Sequence, residues 1–263
     1  MPNKTKVIAF ANNKGGSGKT TAAANVAYSL AVRGKKVLLV DADMQMNLTL
    51  SFFDEDKVME FASGTRNIYR AITDRLPFKD CIVNTAYKGL DLIPSSTLMS
   101  SMEFKLFKEK EREYCLLRGL SPIIESEKYD FILIDSPPTL GCLVLNILTA
   151  SDYVIMPVEA SPWGLFGVAN MFEFLESAKE FNDSLSLLGI LITKVNTRKN
   201  YYKQTLENLK ATPGVRVFDT VIRIDSEVEW AQDNSMPVAA YKKSARSGAE
   251  YMELSKEVTR LCR

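Results

Sequence analysis

The sequence predicts an α/β fold, doubly wound, with a mostly parallel sheet and helices on both faces. Three observations predict it. Short apolar runs without polar alternation recur at residues 6–11, 36–41, 129–135, 153–158 and 187–195, as strands buried on both faces of a parallel sheet require. Stretches of helical character lie between several of them. Polar and acidic residues follow directly after several runs, at the carboxyl edge where parallel α/β sheets gather their ligand groups.

The totals agree. A chain of 263 residues with 46% hydrophobic and 25% charged content suits one α/β domain with a sizeable core, read here as 1–263 without a preceding helix-turn-helix domain. The net charge is +1, so any nucleic-acid contact must come from a local patch. The absence of histidine excludes histidine triads and histidine-ligated metals. Cys81, Cys115, Cys142 and Cys262 are scattered, with no CxxC pair; that argues against a zinc ribbon or cluster site and suits a reducing cytoplasm. Residues 1–6 carry no apolar signal segment, and no run approaches the roughly 20 apolar residues of a membrane span.

The first strand, residues 6–11, leads into Lys14, Gly15, Gly16, Ser17, Gly18, Lys19, Thr20 and Thr21, and then into an alanine-rich helix, residues 19–32, ended by Gly34. Strand, glycine loop and helix are the setting of a phosphate-binding loop. Glycines let backbone N–H groups converge on phosphate oxygens, and the helix N-terminus adds a positive dipole end. Lys19 brings a point charge to the β- and γ-phosphates of a nucleotide such as ATP, and the Thr20 hydroxyl is suited to Mg²⁺. The ordinary G-x-x-x-x-G-K-[ST] pattern has glycine where this chain has Asn13, and a second lysine, Lys14, stands at the loop mouth. Two lysines around one cradle are more charge than one loop needs, and one use for Lys14 is a nucleotide held mainly by a second copy of the chain.

The second strand delivers Asp41, Ala42, Asp43, Met44, Gln45, Met46 and Asn47. The run 129–135 ends in Asp135, followed by Ser136-Pro137-Pro138. An apolar strand ending in one acid is the pattern that holds Mg²⁺, here through a water. These segments resemble the deviant Walker A P-loop ATPases of the ParA/MinD family, and nearly the whole chain takes part in the resemblance. KGGSGKTT resembles the family's loop, residues 41–47 its D-x-D-P-Q-G-N switch, and residues 135–138 its D-x-P-P switch. The resemblance implies an ATP-sandwich dimer in which Lys14 reaches the partner's phosphates. It also implies that Asp43 positions the attacking water and that Asp41 supports Mg²⁺ and the loop network, with Asn47 among the nucleotide-site residues. Met44 and Met46 stand where the family has proline and glycine.

Further along, residues 67–75 read as a short helix and 90–94 as a strand. Residues 101–124 read as one helical stretch, whose sign-alternating segment 108–113 is a solvated face. Cys142 reads as a small buried residue. Residues 162–181 read as a helix with Leu165, Val168, Met171, Phe172 and Leu175 on its apolar side. Charge turns one-sided over residues 194–216, where Arg198, Lys199 and Lys203 lead and Tyr201 and Tyr202 are interleaved; Lys242, Lys243 and Arg246 follow. These two clusters are the candidate contacts for non-specific DNA binding through phosphates. Arg198 falls where ParA proteins resemble one another in carrying a DNA-contacting arginine. A second basic position of the family falls near Glu227. The last segment, residues 248–263, has the mixed charge of a helix docked on its own domain, which argues against the membrane-bound MinD branch. The resemblance is greatest to short ParA partition ATPases. It implies a cytoplasmic, nucleoid-associated protein stimulated by a centromere-binding, ParB-type adaptor; a cargo-positioning or membrane-positioning ATPase of the same family is the alternative.

Overall fold

The computed structural model describes residues 5–161, 167–212 and 214–262, with the side chains of Asn200 and Tyr201 outside that description. The described residues form a seven-stranded sheet in the order β3-β4-β2-β5-β1-β6-β7. Its strands are β1 (Lys6–Phe10), β2 (Val37–Asp41), β3 (Val83–Asn84), β4 (Leu90–Ile93), β5 (Phe131–Asp135), β6 (Tyr153–Glu159) and β7 (Ser186–Thr193). Only the short edge strand β3 runs antiparallel. The helices around the sheet are α1 (Lys19–Val32), α2 (Asn47–Leu50), α3 (Glu55–Ser63), α4 (Ile68–Thr73), α5 (Met102–Leu106) and α6 (Cys115–Glu125). They continue with α7 (Cys142–Thr149), α8 (Val168–Ala178), α9 (Asn200–Ala211), α10 (Glu227–Asp233), α11 (Val238–Tyr241) and α12 (Arg246–Leu261).

Side chains alternate between two cores, as the pleat of a strand requires. Val7 and Ala9 of β1 join the core built with α4, α5, α6, α7 and α8. Ile8 and Phe10 join the opposite core, built with α1 and α12. Both faces are apolar, which is why the strands read as continuous runs. In α1, Ala22, Ala23, Ala24 and Ala27 are all buried, and their small side chains let the helix lie close to the sheet. Gly34 takes φ +82° just beyond α1, a left-handed turn suited to glycine. Pro157 sits inside β6, but the ladder to β1 ends at Ile155, so its missing N–H interrupts no bond to that strand.

Two sequence expectations are corrected. Residues 101–124 are not one helix: α5 and α6 are separated by turns, and Glu111 at φ +49° breaks the helical path. Each half then packs separately, Met102 and Leu106 from α5 and Leu116 and Leu120 from α6. Cys142 is half-buried rather than buried, because it opens α7 at the protein surface. Residues 162–166, which include Leu165, and the side chain of Tyr201 lie outside the described residues. The expected docking of the final helix holds: Tyr251, Leu254 and Val258 of α12 are buried in the core shared with α1.

Candidate nucleotide site

Strand order decides the site. β5 lies between β1 and β2, and the register pairs Asp135 with Phe10 on one side and with Asp41 on the other. The loop after β1, the acidic segment after β2 and the acid ending β5 therefore meet at one edge. The loop uses its glycines where the backbone requires them. Gly16 takes φ +71° and Gly18 +91°, left-handed conformations that a side chain would strain. The Lys19 Nζ donates to the Lys14 carbonyl at 3.3 Å, so the lysine folds back over its own loop. Burial lowers the Lys19 pKa, while Asp135 and Asp43 act to raise it.

Lys14 is held within its own chain. Its Nζ lies 3.0 Å from Glu159 at the end of β6 and 3.3 Å from the Ser161 hydroxyl. Asn12 sets the start of the loop, donating to the Pro157 carbonyl at 2.6 Å and accepting from the Lys14 N–H at 3.0 Å.

The two strand-end acids are both fully buried but differently satisfied. Asp41 accepts from the Thr49 N–H at 2.8 Å, the Thr49 hydroxyl at 2.6 Å and the Asp43 N–H at 3.2 Å. These bonds place it in the network that shapes residues 43–49. Burial still raises its pKa to about 7 against those bonds. Among the described residues neither Asp135 carboxylate oxygen has a partner in full hydrogen-bond geometry, although the Thr20 hydroxyl lies close enough to favour the ionised form. Burial pushes its pKa well above the ordinary carboxylate range and Asp41 adds to the push, while the nearby Thr20 hydroxyl and Lys19 ammonium act in the other direction. A buried, unpartnered carboxyl group is costly unless a cation joins it. Among the described residues no group of three or more acidic or cysteine side chains could hold a metal alone. Mg²⁺ would fit instead as it commonly does beside phosphates, on few protein oxygens with water and phosphate completing its shell; Thr20, and Asp135 through a water, are the groups suited to hold it.

Asp43 is buried, accepts the Gln45 N–H at 3.0 Å, and has its carbonyl held by the Ser95 hydroxyl at 2.7 Å. Met46 adopts φ +56°, the left-handed conformation a glycine would give more cheaply, and is anchored by packing against Val58 and Ala62. Asn47 begins α2 and is exposed. A cavity of about 800 Å³ joins Gly15, Lys19, Thr20 and Asp43 to Lys194, Arg223 and Gln232. A larger cleft of about 1260 Å³, between α4 and α6, shares no lining residue with it and contains none of Asp41, Asp43, Asp135 and Glu159.

The candidate DNA contacts fall into two groups. Arg198, Lys199 and Lys203 are exposed at the start of α9. Lys243 is exposed too, but Lys242 pairs with Glu227 at 2.5 Å, and Arg246 is tied to Glu250 and the Ile224 carbonyl. The segments leading to the two groups are joined at Ile224, whose N–H donates to the Val195 carbonyl at 3.0 Å and whose carbonyl accepts from Arg246. Sequence reasoning did not single out Glu159, Thr49 or Ser95. They bind the named residues from distant parts of the chain, and no local pattern marks them.

The loop between β1 and α1, a lysine folded over it and a lone acid on the neighbouring strand define a P-loop nucleotide-binding protein. A sequence profile of the family described as AAA domain matches residues 5–187. The chain is 35% identical to the sporulation initiation inhibitor protein Soj of Bacillus subtilis, over 96% of this chain and 98% of that one. It is 32% identical to the chromosome partitioning protein ParA of Caulobacter vibrioides, over 97% and 94%. Among solved structures it is similar to cobyrinic acid a,c-diamide synthase from Mycobacterium smegmatis with bound ATP analog and magnesium, at TM-score 0.81 and 29% identity, over 97% of this chain and 95% of that one. The chain belongs to the Soj/ParA family of partition ATPases.

Proposed function

We propose that this protein is a Mg²⁺-dependent ATPase of DNA partition that couples ATP binding to dimerisation and to non-specific DNA binding. The observation that carries the reading is the unpartnered Asp135 carboxyl group beside Lys19 and Thr20. ATP occupies the cavity, with the backbone of residues 15–21 and the Lys19 ammonium around its phosphates. Mg²⁺, held with the help of Thr20 and Asp135, would supply charge neutralisation to the phosphates. Asp43 orients the attacking water, and Asp41 holds the segment that carries Asp43 through Thr49.

Lys14 exchanges Glu159 for the phosphates of a second copy, so that two nucleotides sit between two protomers. Dimerisation doubles the number of basic side chains offered to one DNA, and avidity then makes DNA affinity depend on nucleotide. Arg198, Lys199, Lys203 and Lys243 supply the phosphate contacts; Lys242 and Arg246 join once their acidic partners are exchanged. A centromere-binding, ParB-type adaptor accelerates hydrolysis and releases the DNA, in a cytoplasmic, nucleoid-associated cycle. No helix among the described residues is long and apolar enough to cross a membrane.

The test is an ATP-dependent DNA mobility shift across a salt series. The parent should bind DNA of any sequence only with ATP, and affinity should fall with salt at about −0.9 per phosphate contact in the log–log slope. An Arg198→Glu, Lys199→Glu double variant should bind more weakly with a shallower slope. Unchanged affinity in that variant would assign the start of α9 to a solvated surface.

A further inference from the structure

Residues 94–96 follow β4 and are pinned to two helices. The Pro94 carbonyl accepts from the Ile68 N–H, at the start of α4, at 2.9 Å. The Ser96 hydroxyl donates to the Ala62 carbonyl of α3 at 2.8 Å. Between these contacts stands Ser95, which is buried. Its hydroxyl donates to the Asp43 carbonyl at 2.7 Å, and its N–H donates to the Thr49 hydroxyl oxygen at 3.3 Å. The Thr49 hydroxyl donates in turn to Asp41 at 2.6 Å, and Asp41 accepts from the Asp43 N–H at 3.2 Å. Asp41, Thr49, Ser95 and Asp43 thus close a ring of hydrogen bonds, and all four residues are buried.

The ring acts on a segment whose own residues do little to preset its path. Residues 43–47 contain no proline to fix φ and no glycine to ease the turn. Met44 is exposed, and Met46 carries its φ of +56° with a side chain attached. The turn is closed by the Met46 N–H, which donates at 3.0 Å to the same Asp43 carbonyl that Ser95 holds. Asp43 is therefore gripped on both sides of its backbone, at the N–H by Asp41 and at the carbonyl by Ser95. Held this way, it lines the cavity with Lys19 and Thr20, whereas Ser95 does not line that cavity.

We propose that Ser95 is a positioning residue for hydrolysis, which fixes Asp43 through its backbone carbonyl from a rigid point at the end of β4. The proposal rests on the reading of Asp43 as the residue that orients the attacking water. Such a group must be placed closely, since a misplacement of about 1 Å can cost about 10²-fold in rate. Without the Ser95 hydroxyl the carbonyl keeps only its turn bond to Met46, a residue in a strained conformation. The Asp43 carboxylate then spends less time where the water needs it.

The test measures the single-turnover rate of ATP hydrolysis, with protein in excess and Mg²⁺ present, and separately the affinity for ATP. It compares the parent with Ser95→Ala, Ser95→Cys and Asp43→Ala, each kept below its unfolding midpoint. Ser95→Ala should hydrolyse ATP about five- to ten-fold more slowly, as loss of one ordinary hydrogen bond implies, with ATP affinity close to the parent. Ser95→Cys fills the space with a weak donor and should be slow in the same way. A parent-like rate in Ser95→Cys beside a slow Ser95→Ala would assign the effect to packing and overturn the proposal. So would an ATP affinity that falls as much as the rate. Parent-like rates in both Ser95 variants, with turnover lost in Asp43→Ala, overturn the role of Ser95 alone. A parent-like rate in Asp43→Ala overturns the reading on which it rests.

Discussion

Asp41 and Asp135 end neighbouring strands in register, yet their surroundings assign them different work. Asp41 is satisfied by Thr49 and Asp43, whereas Asp135 has no such partner among the described residues, which suits the proposed Mg²⁺ role. Their raised pKa values have a measurable consequence. Asp41, at about 7 instead of the ordinary 3.8, keeps its proton when folded over a range in which the unfolded chain has lost it. The folded state therefore binds more protons between those values, and its stability falls as pH rises through that window. With divalent cations chelated and no nucleotide, the unfolding midpoint should rise as pH is lowered from 7.5 to about 5.5. Asp135→Asn, which removes the unpartnered acid, should raise the midpoint at pH 7.5; a lower midpoint would mean that Asp135 is already satisfied without a cation. Asp43 yields a kinetic prediction. Asp43→Ala should bind ATP close to the parent affinity and lose turnover by about 10²-fold or more, the scale of a missing general base or water-positioning group. Parent-like turnover would reassign the role.

Among the elements, α5 and α7 are joined by a single carboxylate. Glu103 of α5 accepts the N–H of Cys142 at 2.9 Å and of Leu143 at 3.1 Å, capping α7 from another part of the chain. Gly141 leaves room for it, because a Cβ there would stand 2.4 Å from the Glu103 carboxylate. The cap sets the far end of the segment after Asp135, residues 136–141, whose Pro138 lines the nucleotide cavity. Glu103→Ala should cost about 0.5–2 kcal/mol in chemical denaturation, the range for loss of a helix cap. A change below about 0.5 kcal/mol would show that solvent replaces the cap. This contact could not be read from the chain, since Glu103 lies in a stretch that reads as one helix and says nothing of α7. The strands were legible because burial on both faces leaves an apolar run. The turns between α5 and α6 were not, because their conformation depends on what each half packs against.

For the whole molecule, Lys14 is the residue whose role differs most between one protomer and two. In the single chain its ammonium is paired with Glu159, both partly exposed. In the proposed dimer it leaves that partner for the other subunit's phosphates. With turnover blocked by Asp43→Ala, small-angle scattering in ATP and Mg²⁺ should report a dimer, and addition of Lys14→Ala should return it to a monomer. Glu159→Gln should shift the equilibrium toward the dimer, because Lys14 no longer gives up a charged partner. A dimer that persists without Lys14 would place the interface elsewhere.

The chain by itself determined the class of fold and the chemistry of its edge. Short buried strands, a glycine loop with its lysine, and acids placed directly after apolar runs are local patterns, and local patterns survive in one dimension. What only the tertiary structure decided was who meets whom: Asp41 satisfied and Asp135 without such partners, Lys14 held by Glu159, Ser95 brought to the Asp43 carbonyl from the end of β4. The physical reason is that charge pairing, desolvation and hydrogen bonding act through space. Strand order, not sequence order, sets the distances across which they act.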